Sequence, residues 1–371
     1  MKRSVFMILA CLLSSFAFLP LAYSLPWPPE MDVVYIKFDY TSGNSDDALD
    51  IKRNNSTDIQ KPEWYPAYNR NEPMAYIKEN ECFIQARFWV DRTGFDYAGI
   101  YADMSGSGIG DVPEQAVNFN DTQYATETME CFGSVPGSVG IRSFSWDWYV
   151  TYIDAVEFEE PLWIGTSGDH EYYTVLAAPQ APMSVPWTEV LDYACDWASG
   201  RSDLGAALQD LTESLYNCGV EYDGGTHYTS GSYTNLNLTS LIDDLSNPSS
   251  VEMDCRDFSN FLQVLLNALG GNCQYNRIDR TSSPNYLYYN YLWPAGWGGY
   301  AFNGVWDYHQ VGWYGSDVAD ASTKIDNDIN PRSSPFTWKL VVGDMDLTDY
   351  IEKLTSDDDV TSVFTGTCTI Y

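Results

Sequence analysis

The chain has 371 residues, with 52 carboxylates against 19 cations, a net charge of −33 and 44% hydrophobic residues. So acidic a surface repels nucleic acid and anionic membrane, and no nucleic-acid partner is expected. The length suits two domains, and nothing beyond the N-terminal stretch is long and apolar enough to span a bilayer.

Residues 1–24 read as a secretory leader, with Lys2 and Arg3 at its start, an apolar run from Val5 to Leu21, and a small-residue cleavage site at Ala22-Tyr23-Ser24. Losing those two cations takes the charge to −35, and the protein is expected to be secreted or periplasmic and to act as a monomer. Of the eight cysteines, all but Cys11 remain after the leader. In an oxidising compartment three pairs can form and one thiol is left over. The domain layout suggests Cys82–Cys131, Cys195–Cys218 and Cys273–Cys368, leaving Cys255 free; the alternative is that Cys255 pairs and another cysteine is left over.

Residues 25–176 follow a strand pattern. Cys82, Ile84, Ala86, Phe88 and Val90 alternate with more polar neighbours, as do Phe144, Trp146, Trp148, Val150 and Tyr152. Pro161 to Val175 is expected to form a hairpin turning at Ser167-Gly168-Asp169, which would leave His170 at the surface. Frequent Gly, Asn, Asp and Pro, with no helical period, predict an antiparallel β-sandwich. Its outward aromatics are read as sheet surface and core in preference to a glycan-stacking face. Residues 177–187, with Pro179, Pro182 and Pro186, are expected to be an extended linker.

Residues 188–371 are expected to form an α+β domain, helices first and an antiparallel sheet after them. Thr188 opens a helix stopped by Gly200. Ser202 caps a second, with Leu204, Leu208, Leu211 and Leu215, and a short third runs from Leu238 to Leu245. The fourth is the most informative. Phe258, Phe261, Leu262, Leu265, Leu266 and Leu269 repeat at helical spacing, Gly270-Gly271 supplies the stop, and Asp254 with Asp257 resembles a capping box. Cys255 therefore falls in the first turn, where free N–H groups and the helix dipole favour a thiolate. Strand-like segments return at Tyr286–Leu292, Tyr300–Trp313, Val318–Ser322 and Trp338–Val342.

A thiol nucleophile needs a base and a group to orient that base. Of the three histidines, His227 sits on a polar Gly-rich loop and is the weaker candidate. His309 lies in an aromatic, strand-like run, and Asp320 follows on the next one. Pairing of the two strands would set them side by side. Trp306, Trp313 and the Trp293-Pro294-Ala295-Gly296-Trp297 loop are expected to wall the cleft. No cofactor or metal motif emerges: Asp326 to Asn330 begins like a calcium loop, but Pro331 and Thr337 stand where Gly and Glu are required.

Taken in order, Cys255-Arg256-Asp257-Phe258 at a helix start, His309 in an aromatic strand and Asp320 before a small residue resemble the transglutaminase-like superfamily, a variant of the papain-like cysteine hydrolases. The resemblance covers Thr188 to Thr323. It implies Cys255 as nucleophile, His309 as base and Asp320 as orienting acid, acting on protein or peptide amides. Val311 stands where the family often has Trp, and Ala321 where it often has Pro, which blurs the subgroup. Whether water or an amine accepts the acyl group stays open. So does a non-catalytic adhesion or scaffold role, in which the β-domain would contact a cell-surface polymer.

Overall fold

The computed structural model describes residues 28–39, 48–56, 62–225, 227–230, 234–283, 286–298 and 301–371. The leader at 1–24 and Tyr300 lie outside the described residues. Two five-stranded sheets form the first half. One carries strands Met31–Lys37, Glu81–Val90 and Tyr124–Ser134, and the other Tyr97–Gly106, Gly140–Ile153 and Val156–Val175. Alternation buries Cys82, Ile84, Ala86, Phe88 and Val90 on one side of their strand, against Phe38, Trp146 and Trp148 of the shared core. The pairing is antiparallel except that Met74–Ile77 runs parallel to the end of Val156–Val175.

The expected hairpin at 167–169 is not formed. Val156–Val175 is one 20-residue strand, and the reversal lies earlier, at Asp154 (φ 49°), between it and Gly140–Ile153. Asp169 (φ 53°) marks a register shift between Ser167 and His170, so the Gly-Asp pair makes a bulge and not a turn. His170 is consequently buried, not at the surface.

The second half contains five helices among the described residues: α1 (Thr188–Trp197), α2 (Leu204–Asn217), α3 (Leu238–Leu245), α4 (Cys255–Ala268) and α5 (Leu347–Leu354). The N-cap of α2 is Asp203, one residue past the expected Ser202, and its carboxylate accepts from Ala206 N at 2.8 Å. After α4 comes a six-stranded antiparallel sheet in the order Leu292–Pro294, Asp317–Asp326, His309–Tyr314, Gln274–Arg280, Val360–Gly366, with Trp338–Asp346 also pairing Asp317–Asp326. This is a β-rich α+β arrangement.

One buried face was expected for α4, yet all 14 of its residues are buried, with α1 and α2 packed on it and the His309 and Asp320 strands also against it. Its polar residues meet backbone groups instead of water. Gln263 donates to the Cys273 carbonyl (2.7 Å) and accepts from Cys368 N (2.7 Å). Asn267 accepts from Cys273 N (2.7 Å) and donates to the Ala181 carbonyl (2.6 Å). Buried amides are tolerated only when satisfied in this way. The apolar side of α4 supplies the driving force, each buried Leu or Phe contributing about 1.5–3 kcal/mol.

The segment 177–187 is anchored at points along its length. Met183 and Trp187 are fully buried, and Leu176 N and Ala177 N both donate to the Leu269 carbonyl at the end of α4. A Cβ on Gly270 (φ +95°) would lie 2.4 Å from the Ala177 carbonyl oxygen, so this junction requires glycine. The sandwich residues Ile51, Ala75, Val139 and Tyr173 share a core with the helices.

None of the expected disulfides is formed, and the seven cysteines after the leader are free thiols. Cys82 and Cys131 are hydrogen-bonded neighbours on adjacent strands, and Cys368 lies within electrostatic reach of Cys273. Cys195 instead faces the Thr174 carbonyl at 3.8 Å, while Cys218 turns back to the Leu215 carbonyl at 3.1 Å. The two thiols expected to join α1 to α2 are directed at different carbonyls.

Candidate active site

The capping box at the start of α4 is present. Asp254 accepts from Arg256 N (2.8 Å) and Asp257 N (3.1 Å), and Asp257 accepts in return from Asp254 N at 3.2 Å. Asp254 also holds the Arg256 guanidinium through Nε at 2.7 Å, in an ion pair that is almost wholly buried. Burial, then the adjacent Asp254 charge, raises the Asp257 carboxyl to about 6. The helix start is thus firmly satisfied, at the cost of two carboxylates beside the thiol.

That changes the thiol's electrostatics. Cys255 is 5% exposed, and burial first, then Asp254, pushes its thiol well above the usual value, against the pull of the Gln310 N–H and Arg256. Burial and the Asp254 charge thus work against the thiolate expected from the helix dipole. The helix end attracts negative charge, and carboxylates already sit there.

The facing strand carries the candidate base, His309. The N–H of Gln310, the residue after His309, points at the Cys255 sulfur. Gly312 pairs with Ala319, and continuing that register sets His309 opposite Ser322. Asp320 is two residues from Ser322, so His309 and Asp320 project from the same face. His309 Nε2 lies 3.0 Å from Asp320 Oδ2, with both side chains buried. His309 Nδ1 has no hydrogen-bond partner, which makes it the nitrogen available to a thiol proton.

Asp320 is held by donors that sequence reading missed. Tyr350 Oη donates to Oδ2 at 2.6 Å, while Ser322 N (2.9 Å) and Oγ (2.7 Å) donate to Oδ1. Burial raises the Asp320 carboxyl, but His309, Tyr350 and Ser322 together outweigh it and hold the group below its ordinary value. Burial and the Asp320 charge keep the Tyr350 phenol well above its usual value, so it remains a donor. Near-parallel rings of Trp306 (5.8 Å) and Tyr350 (6.4 Å), with Tyr289 edge-on at 6.1 Å, fix the imidazole plane.

A cleft of about 420 Å³ opens at Cys255, lined by Tyr222, Gly224, Asp254, Arg256, Trp306 and Tyr308 among others. Of the tryptophans expected to wall it, Trp306 does so. Trp297 braces Tyr222 from behind through Nε1 to its carbonyl (3.2 Å). Trp313 turns to the Gly315 carbonyl (2.8 Å), and Trp293 packs on Trp338. His227 pairs with Asp223 at 3.1 Å, while His170 lies in the sandwich. Ser322 stood two residues from Asp320 in the sequence. Tyr350 carried no local signal, because its helix was not anticipated.

No protein-family profile and no curated relative matches the chain. Among solved structures 37 chains match. Red sea bream transglutaminase aligns at 10% identity and a TM-score of 0.37, over 68% of this chain and 49% of that one. A candidate cysteine protease from Cytophaga hutchinsonii aligns at 9% identity and a TM-score of 0.21, over 91% of this chain and 84% of that one. The chain spans about half the length of the bream enzyme. Likenesses this distant carry none of the argument, which rests on the geometry above.

Proposed function

We propose that the chain is a transglutaminase-like cysteine enzyme that forms a thioester from a protein or peptide amide. The observation that carries this reading is the buried Tyr350–Asp320–His309 series, which leaves His309 Nδ1 unpartnered on the strand whose next N–H meets the Cys255 sulfur. Because burial holds Cys255 as a thiol, the proton transfers to His309 as the sulfur attacks the carbonyl carbon. Asp320 stabilises the imidazolium that forms, and in this reading the Cys255 N–H donates to the oxyanion. The C–N bond breaks as the imidazolium protonates the departing nitrogen. Water or an amine then attacks the thioester, gives its proton to His309, and the S–C bond breaks to restore the thiol.

Export through residues 1–24, and a division into a β-sandwich at 25–176 and a catalytic domain at 188–371, belong to the same proposal. Incubation with a glutamine-containing protein and a labelled primary amine tests it. Amine incorporation, ammonia release or chain cleavage is expected from the native chain, and none from Cys255→Ala. Equal turnover by that variant overturns the assignment.

The near-complete burial of Cys255 favours a second reading, a non-catalytic scaffold whose cleft only binds. Labelling by a thiol-directed electrophile separates the two. The enzyme is labelled at Cys255 under native conditions, whereas a scaffold is labelled there only on unfolding.

A further inference from the structure

At the rim of the cleft, outside the Cys255–His309–Asp320 group, Asp223, His227 and Glu252 converge. Their ligating atoms all lie within 4.8 Å of one another, and His227 Nε2 stands 3.1 Å from Asp223 Oδ2. The backbone explains the convergence. Glu221–Tyr222 pairs in parallel with Glu252–Met253, and Asp223 N donates to the Met253 carbonyl at 2.9 Å. Glu252 thus lies on one of two registered strands and Asp223 directly follows the other. The third residue comes from the loop that Gly225 N ties to Asp223 Oδ2 at 3.1 Å.

We propose that Asp223, His227 and Glu252 bind a divalent transition-metal ion, of which zinc fits best. One imidazole with two carboxylates is a donor set suited to zinc and its neighbours, whereas calcium and magnesium favour all-oxygen shells. Two carboxylates balance a dication, relieving their mutual repulsion in a chain whose net charge is −33. Zinc bonds of about 2.0–2.2 Å place adjacent ligand atoms roughly 3.2–3.6 Å apart. The 3.1 Å pair is close to that spacing, and the exposed Asp223 and Glu252 carboxylates can close the remainder by side-chain rotation.

The location gives the ion a role. Asp223 lies between Tyr222 and Gly224, which line the cleft, and Glu252 is two residues before Asp254, the cap of α4. A bound ion would pin Asp223 and His227 to the strand that leads into the Cys255 helix, and so fix one wall of the cleft. Metal binding here does not depend on the chemistry proposed for Cys255.

The test is a zinc titration of the full chain against a chromophoric chelator, in a Cys255→Ala background so that the cleft thiol cannot compete. One ion per chain is expected, with His227→Ala and Glu252→Gln each weakening binding at least roughly tenfold. Cobalt loading should give d–d bands without thiolate-to-cobalt charge transfer. Absence of saturable binding overturns the proposal. So does affinity unchanged in both variants, or a thiolate signature. Cooperative melting of each variant at an unaltered temperature in the absence of metal shows that any loss is local.

Discussion

His170 and His309 each lie on a β-strand, fully buried and ringed by aromatic side chains. In the sandwich, Phe38, Phe144 and Trp146 surround His170 at ring distances of 5.1, 5.1 and 5.6 Å, and the Ser167 hydroxyl at 3.2 Å is its hydrogen-bond partner. Burial drives that imidazole down to about 3, so it is neutral throughout the ordinary pH range. His309 is walled by Trp306, Tyr289 and Tyr350, but it is buried together with a carboxylate. Desolvation alone makes a histidine inert. His309 is desolvated beside a carboxylate that has its own donors. The aromatic setting is shared, and the difference lies in Asp320 and what holds it.

The largest effect should come from erasing that difference. Asp320→Asn turns His309 toward the condition of His170, a buried imidazole with no charge opposite it. Single-turnover thioester formation should slow by about 10²–10⁴-fold, since the imidazolium is no longer stabilised and the tautomer no longer fixed. An unchanged rate would mean that Asp320 has no part in orienting His309.

The second test acts on stability. His170 has a folded value near 3 against 6.5 for the unsupported side chain, so the unfolded chain binds its proton first as the pH falls. The stability it contributes is complete above pH 6.5 and is lost as the pH falls from 6.5 towards 3, to a total of about 4–5 kcal/mol. Denaturant melts of the native chain and His170→Phe across that window should therefore differ in slope, the native chain losing stability more steeply as the pH falls. Parallel profiles would show that His170 is protonated equally in both states. The same substitution should leave thioester formation untouched.

Much of this contrast was legible in the sequence, and its limits were physical. Cys255 at a helix start and His309 with Asp320 on successive strands follow from periodicity, caps and pairing, because each is a local rule. What escaped depends on partners distant along the chain. Asn260, Gln263 and Asn267 look like a solvated helix face, since a buried amide satisfied by backbone groups reads the same as a hydrated one until its partners are known. Gly168-Asp169 looks like a hairpin turn, yet in a 20-residue strand it is a bulge, and His170 was misplaced with it. The thiolate expectation counted the helix dipole and omitted the desolvation of Cys255 and the charge of Asp254.

The smallest effect is the most diagnostic. Tyr350 reaches Asp320 from α5, 30 residues further along, and gives that carboxylate one of its three side-chain partners. Tyr350→Phe keeps the ring that lies parallel to His309 and removes only the donor. A hydrogen bond to a charged group is worth about 1.5–3 kcal/mol. Part of that is expected in catalysis, as a fall in kcat of roughly tenfold with KM little changed. The donor is also among the contacts that hold Asp320 low, so its loss raises the Asp320 carboxyl and moves the acid limb of the kcat profile to higher pH. A merely structural Tyr350 would lower the melting temperature and leave that limb where it was. A displaced limb with the melting temperature nearly retained would place Tyr350 as the residue that keeps Asp320 ionised opposite His309.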